Sequence, residues 1–281
     1  MDTATTIAAL RERLAPWRRA GERIALVPTM GNLHAGHLQL VEAGRERADR
    51  VVVSVFVNPT QFGEDEDYAS YPRTLEEDVR KLRGRSADLL FSPQPAEVYP
   101  EDAKTVVEVR EMNKMLCGQF RPVHFNGVTT VVCKLLNMVQ PDVALFGEKD
   151  FQQLVVIRRM VADINIPVEI VGVPTVREAD GLAMSSRNDY LSASERRIAP
   201  SLYQSLCAAK KVIEAGSLDF RQIEQAQLAV LRQAGFSPDY FSIRRCSDLL
   251  PAADQDGGLV ILAAARLGKA RLIDNVQLTA G

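Results

Sequence analysis

The run Val51-Val-Val-Ser-Val-Phe-Val57 constrains this chain more than any other segment, because it is apolar at nearly every position. A strand with one wet face alternates apolar and polar side chains, so a strand without that alternation has to be covered on both faces, as in a parallel sheet. Similar short apolar or β-branched runs fall at 23–28, 88–92, 143–147 and 168–174, each flanked by turn residues. Helical patterns lie around them at about 3–20, 37–48, 74–84, 127–139 and 150–163. Repeated βα units of this kind predict an α/β fold, a Rossmann-like, doubly wound parallel sheet with right-handed crossovers.

After about residue 190 the pattern changes. Leu191-Ser-Ala-Ser-Glu195 reads as a helix start, with Ser192 as N-cap and Glu195 completing a capping box. A long helix to about 215, a second over 219–234, and strands at 240–246, 258–265 and 270–276 follow, with a turn near Gly268-Lys269. These elements predict a smaller C-terminal α+β domain, dividing the chain into 1–180 and 181–281. At 281 residues and 46% hydrophobic content the chain can bury a core in each. Internal repeats and low-complexity tracts are absent from the sequence.

A formal charge of −2 and a pI near 6.0 leave no basic field for nucleic acid or an anionic membrane, so a small-molecule substrate is expected. No stretch approaches the ~18–20 apolar residues of a membrane span. The opening Met-Asp-Thr-Ala-Thr-Thr lacks the basic and apolar regions of a secretory signal, which points to the cytoplasm. Cys117, Cys133, Cys207 and Cys246 form no C-x-x-C pair and read as reduced packing residues.

In an open parallel sheet the ligand crevice lies beyond the carboxyl ends of the strands. Four segments following strands stand out: Pro28-Thr-Met-Gly-Asn-Leu-His-Ala-Gly-His37, Asn58-Pro-Thr-Gln-Phe-Gly63, Gly147-Glu-Lys-Asp150 and Pro174-Thr-Val-Arg-Glu-Ala-Asp-Gly-Leu-Ala-Met-Ser-Ser-Arg-Asn188. His34 and His37 lie three apart, on one face of a helix start where Gly31 and Gly36 let backbone amides approach an anion. Two imidazoles there can donate to phosphate oxygens; the same residues also suit an ordinary strand–turn–helix corner. As an H-x-x-H metal site the pair lacks a third ligand, His124 being the only other histidine. Lys149, at the next helix start, can pair with a β- or γ-phosphate, with Gln153 four residues on along the same face, or simply belong to a solvated helix end. Met184-Ser-Ser-Arg187 can bind a triphosphate from a mobile loop, though its composition is also that of any loop.

Taken in order, the segments 27–38, 55–63, Asp67-Tyr-Ala-Ser-Tyr-Pro-Arg-Thr74, Phe125-Asn-Gly-Val-Thr-Thr-Val-Val132, 145–154 and 173–188 closely resemble the pantothenate synthetase family over about residues 20–195. The C-terminal part resembles it mainly in length and pattern. The resemblance extends to the wider H-x-G-H nucleotidyltransferases. It implies ATP-dependent joining of pantoate to β-alanine through pantoyl adenylate, with release of AMP and pyrophosphate and with Mg2+ accompanying ATP. It further implies that Thr29, Met30, His34, His37, Gly147, Glu148, Lys149, Asp150, Val176, Met184, Ser185, Ser186 and Arg187 bind the nucleotide. His37, His34, Lys149, Ser185 and Arg187 would carry catalysis, His37 being the proton donor assigned in such enzymes. A carboxylate nucleophile brings no proton to remove, so phosphate stabilisation is the better description of that histidine. Gln61, Gln153 and Asn58 would bind substrate, and a homodimer is implied. Tyr71, Arg121 and His124 fall in family-like segments but also suit core or loop roles; Glu77 and Asp78 suit either a charged helix face or a place near magnesium. Two other readings stay open: a nucleotidyltransferase acting on a phosphorylated acceptor, and a nucleotide-sensing module without turnover.

Overall fold

The computed structural model describes residues 1–64, 66–253 and 255–278. Six parallel strands form the main sheet in the order β1-β4-β3-β2-β5-β6: β1 (Asp2–Ala4), β2 (Ile24–Thr29), β3 (Arg50–Val55), β4 (Leu89–Phe91), β5 (Val143–Gly147) and β6 (Glu169–Val173). The interleaved helices are α1 (Ile7–Arg19), α2 (Ala35–Arg45), α3 (Leu75–Arg83), the single turns α4 (Pro95–Val98) and α5 (Cys117–Phe120), α6 (His124–Val139) and α7 (Phe151–Asp163). Side chains of each strand separate by parity, as a pleated sheet requires. Ile24, Leu26 and Val52 join one core with Leu10 and Leu14 of α1 and much of α6 and α7. Ala25, Val27, Val51 and Val53 join the opposite core with Leu40 and Val41 of α2 and Leu82 of α3. The absence of alternation in the 51–57 run has this two-sided burial as its cause.

Strand order reverses between β2 and β5, where Ala25 pairs with Val143 and Leu26 with Ala144. That switch point opens a crevice beyond the strand ends, and it sets the segment after β2 beside the segment after β5.

The remainder comprises α8 (Ala193–Ile198), α9 (Ser201–Glu214), α10 (Phe220–Gln233) and an antiparallel sheet β7-β8-β9 built from Ser237–Arg245, Leu259–Leu267 and Ala270–Leu278. β8 also sorts by parity: Ile261 and Ala263 pack with α9 and α10, whereas Val260 and Leu262 join the core of the main sheet. Ser192 and Glu195 form the expected capping box.

Two expectations need correction. The single long helix is broken: α8 ends at Ile198 and α9 starts after Pro200, which has no N–H to donate and whose ring crowds the carbonyl four residues back. The first helix starts only at Ile7, because Thr6 caps it by accepting from the Ala9 N–H at 3.2 Å. Residues 2–4 instead add an outer strand, with Thr3 opposite Leu90. No helix among the described residues is long and apolar enough to cross a membrane.

Candidate active site

A cleft of about 400 Å³ lies at the switch point between the two sheets. It gathers the side chains singled out in all four post-strand segments, with Glu148 as the exception. The Glu148 carboxylate is turned outward and accepts from Gln277 Nε2 at 3.1 Å.

The head of α2 is built from its histidines. His34 is the N-cap, its Nδ1 accepting from the Gly36 N–H at 3.1 Å, and His37 Nδ1 accepts from the His34 N–H at 3.3 Å. Backbone N–H groups only donate, so both Nδ1 atoms are unprotonated and a neutral ring carries its proton on Nε2. Burial, reinforced by Lys149, pushes His34 down to about 4; burial, then His34 and Lys149, pushes His37 down to about 3. Near pH 7 the cleft therefore holds two neutral Nε2–H donors at a helix N-terminus. A Cβ on Gly36 would sit 2.9 Å from His34 Cε1, so the residue between the rings has to be glycine for this packing. The turn before them is held by Asp78, whose carboxylate accepts from the Asn32 and Leu33 N–H groups at 3.0 and 2.8 Å. Asp78 is fully buried, and so belongs neither to an exposed charged face nor to the cleft.

Asn58 and Gln61 form the floor. Asn58 Nδ2 donates to Gln61 Oε1 at 3.0 Å and to the Gly127 carbonyl at 3.1 Å, while its Oδ1 accepts from Tyr99 and Thr60, both at 2.9 Å. Asn58 is thus saturated by the protein and orients Gln61. Gln61 Nε2 donates to Met30 Sδ at 3.0 Å, leaving its second amide hydrogen for a ligand. Gly127 lets α6 approach this turn, since a Cβ there would collide with the Thr60 carbonyl. His124 Nδ1 lies 3.1 Å from the Gln61 carbonyl, which only accepts, so the proton sits on Nδ1 and Nε2 is an acceptor. Burial, aided by Arg121, pushes His124 down to about 3. Arg121 forks onto Glu66 through Nε and Nη2 at 2.7 and 2.5 Å.

Beyond β5 the chain makes a short 3₁₀ turn, Glu148–Asp150, before α7. Lys149 Nζ lies 3.5 Å from Asp150 Oδ2. Burial alone would raise the Asp150 carboxyl, but Lys149, His124 and Arg187 outweigh it and hold it below the ordinary carboxylate range. Gln153 reaches the cleft without a protein hydrogen-bond partner among the described residues, whereas the neighbouring Gln152 is spent on Cys117, Met112 and Met115.

The segment 184–190 closes one side of the cleft. Ser185 Oγ caps a 3₁₀ turn by accepting from the Arg187 N–H at 3.2 Å, Ser186 Oγ donates to the Asn32 carbonyl at 3.2 Å, and Arg187 Nη2 reaches Asp67 Oδ1 at 3.0 Å. The Arg187 guanidinium lies 5.9 Å from the Tyr71 ring centre. Thr29, Met30, Val176 and Met184 complete this wall. Sequence reasoning named Asp78 but not its hold on the 31–33 turn, and missed Gln152, Arg266 and Arg271; the last two enter the cleft from β8 and β9 and have no local motif to mark them. Among the described residues no group of three or more His, Cys, Asp or Glu is placed to hold a metal ion.

Comparison with known proteins gives the following likenesses. Residues 2–277 match the family model described as pantoate-beta-alanine ligase. The chain is 58% identical over 281 residues to the pantothenate synthetase of Methylococcus capsulatus, covering 99% of this chain and 98% of that one. It is 56% identical to that of Alkalilimnicola ehrlichii, over 96% of this chain and 95% of that one. The crystal structure of pantothenate synthetase from Thermus thermophilus superposes with a TM-score of 0.93 at 48% identity, covering 98% of this chain and 99% of that one. The pantoate-beta-alanine ligase of Francisella tularensis, complexed with beta-gamma ATP and beta-alanine, superposes with a TM-score of 0.83 at 32% identity, covering 98% of this chain and 97% of that one.

Proposed function

The chain belongs to the pantoate-beta-alanine ligase family, and from that premise we infer how its cleft does the family's chemistry. The protein is an ATP-dependent ligase that condenses (R)-pantoate with β-alanine, giving pantothenate, AMP and pyrophosphate through a pantoyl adenylate. The observation that carries the residue assignment is the reciprocal capping of His34 and His37, which aims two neutral N–H donors at the switch point beside Lys149.

In the first step a pantoate carboxylate oxygen bonds to the α-phosphorus of ATP as the bond to the bridging oxygen breaks, and pyrophosphate leaves. Charge accumulates on the phosphate oxygens without any proton being taken from the nucleophile. His34 and His37 meet that charge with Nε2–H donors, and Lys149 and Arg187 meet it as cations. Neutral rings suit this role: they stabilise the charge that develops without a full positive charge clamping the ground state. Ser185 and Ser186 hold the 184–190 segment over the nucleotide, next to Met184 and Val176. Thr29, Met30, Gly147 and Asp150, all lining the cleft, supply the remaining nucleotide contacts; Glu148, whose carboxylate is held by Gln277, has only its backbone to contribute. No group of three or more His, Cys, Asp or Glu among the described residues is placed to hold a metal, so magnesium would come with ATP and would add to the neutralisation of phosphate charge by Lys149 and Arg187.

Gln61 and Gln153 bind the hydroxyl and carboxylate groups of pantoate, with Asn58 orienting Gln61. Phe56, Val128, Val131 and Val132 give its two methyl groups an apolar wall. In the second step the neutral amine of β-alanine bonds to the acyl carbon, the acyl–oxygen bond to AMP breaks, and the proton shed by the nitrogen passes to the departing phosphate or to water, with Gln61 also serving the amine. Neither step needs a covalent enzyme nucleophile; positioning and charge stabilisation suffice.

Residues 1–180 act as the catalytic domain and 181–281 as a lid, a division supported by a second core drawn from Leu182 to Leu278. A cytoplasmic setting is supported by four free cysteines. We propose a homodimer on the strength of the family membership, and light scattering of the purified protein tests it. The test is exchange of labelled pyrophosphate into ATP with β-alanine withheld. Exchange that requires pantoate is the expected result; its absence from folded protein supplied with magnesium overturns the mechanism.

A further inference from the structure

β9 carries two consecutive buried polar residues, Asp274 and Asn275, across the back of the nucleotide side of the cleft. They do different things. Asp274 accepts from both terminal nitrogens of Arg177, at 2.6 and 2.9 Å, and the Arg177 guanidinium carbon lies over the Tyr203 ring, 3.7 Å from its centre. That pair ties β9 to the segment leading into 184–190. Asn275 reaches the other nucleotide segment: its Nδ2 donates to the carbonyls of Glu148 and Lys149 at 2.7 and 3.0 Å. Gln277 adds a third hydrogen bond, to the Glu148 carboxylate.

The turn so held has little to hold it locally. It is a single 3₁₀ turn with less favourable hydrogen-bond geometry than an α-helix. Its N-cap is Gly147, which has no side chain to cap it and around which a Cβ would meet open space. Lys149 presents its charge on a flexible four-carbon stem, so the backbone at its root decides which volume the ammonium group explores. Within that turn the Lys149 carbonyl is fixed by a side chain that arrives from the other sheet.

We propose that Asn275 is a positioning residue for the adenylation step, setting the Lys149 backbone, and through it the ammonium group, against the triphosphate. The proposal rests on the reading of Lys149 as a phosphate-binding cation. It makes the C-terminal sheet part of the adenylation apparatus as well as a cover over it.

The experiment is a double-mutant cycle between Asn275→Ala and Lys149→Ala, read by pantoate-dependent pyrophosphate exchange and by thermal melting. Asn275→Ala is expected to lower kcat/KM for ATP about tenfold, with KM for pantoate unchanged, as loss of two hydrogen bonds to a catalytic turn predicts. In the Lys149→Ala background the same substitution costs less than about twofold, because the group it positions is gone. Equal losses in both backgrounds overturn the proposal and leave Asn275 a structural residue. A large loss in Lys149→Ala with none in Asn275→Ala overturns it alone, whereas no loss in Lys149→Ala removes the reading of Lys149 as well. Asn275→Leu keeps the volume without the donors and substitutes for the alanine variant if that variant melts before assay; wild-type exchange by folded Asn275→Leu equally overturns the proposal.

Discussion

His34 and His37 fix each other: the backbone N–H of the first is held by the ring of the second, with ring centroids 4.0 Å apart. Replacing His37 with alanine removes a phosphate donor and also frees the cap that sets its neighbour. Pantoate-dependent exchange should fall about 10²–10³-fold, while stability falls by only about 1 kcal/mol, the scale of a lost cap. Parallel exchange and melting curves check this; a loss of activity matched by wholesale unfolding would sink it.

Asn58 makes no bond that a ligand needs, yet every polar atom of its side chain is occupied. Asn58→Ala leaves Gln61 Oε1 and the Gly127 carbonyl without their donor. The expected result is a raised KM for pantoate with KM for ATP nearly unchanged, and about 1–3 kcal/mol of lost stability. Steady-state kinetics in each substrate separates this from a general collapse of the cleft, which would raise both.

All three histidines of the chain are held neutral, at about 4, 3 and 3 for His34, His37 and His124, against about 6.5 when unfolded. Between those limits the unfolded chain binds protons that the folded chain refuses. Their contribution to stability is therefore fully present above pH 6.5 and is lost as pH falls toward 4 for His34 and toward 3 for His37 and His124. At pH 5 the loss is at most about 2 kcal/mol for each ring. Melting at pH 7.5 and 5.0 measures it, and His124→Gln should flatten the difference; an unchanged slope in that variant refutes the assignment. For the same reason the rate profile should show no imidazole limb near pH 6.5.

Burial raises the Asp274 carboxyl above its usual range even with Arg177 beside it. Arg177→Ala strands that carboxylate, so the variant should lose about 3–5 kcal/mol. Adding Asp274→Asn should restore much of it, because an amide carries no charge to strand. Chemical denaturation of the single and double variants decides the matter: a double variant no more stable than the single one contradicts the account.

The parallel sheet was legible because each βα unit announces itself locally. The expected bounds of the strand at 143–147 coincide with the observed ones, and the others shift by only a residue or two. The histidine pair and the 184–187 segment were legible for the same reason, as polar motifs in the positions where such sheets bind ligands. What did not show was anything made by a distant partner. Asp78 looks like one more acid in a charged helix until the turn at 31–33 is seen to need two acceptors. Asn275 sits in an ordinary strand, and its partners at Glu148 and Lys149 are contributed by a different sheet. The strand at 2–4 escaped because three residues carry too little periodicity to read, and its partner lies at 89–91.

The place where the strand order turns back has a consequence for synthesis on the ribosome. The two imidazoles belong to β2's side of that reversal, and the lysine turn belongs to β5's. A growing chain that has not yet released β5 already holds the first strands and both rings but only half of the phosphate cradle. The phosphate cradle is therefore assembled only once β5 has emerged and paired with β2, and a chain terminated before it would lack the lysine side of the cradle.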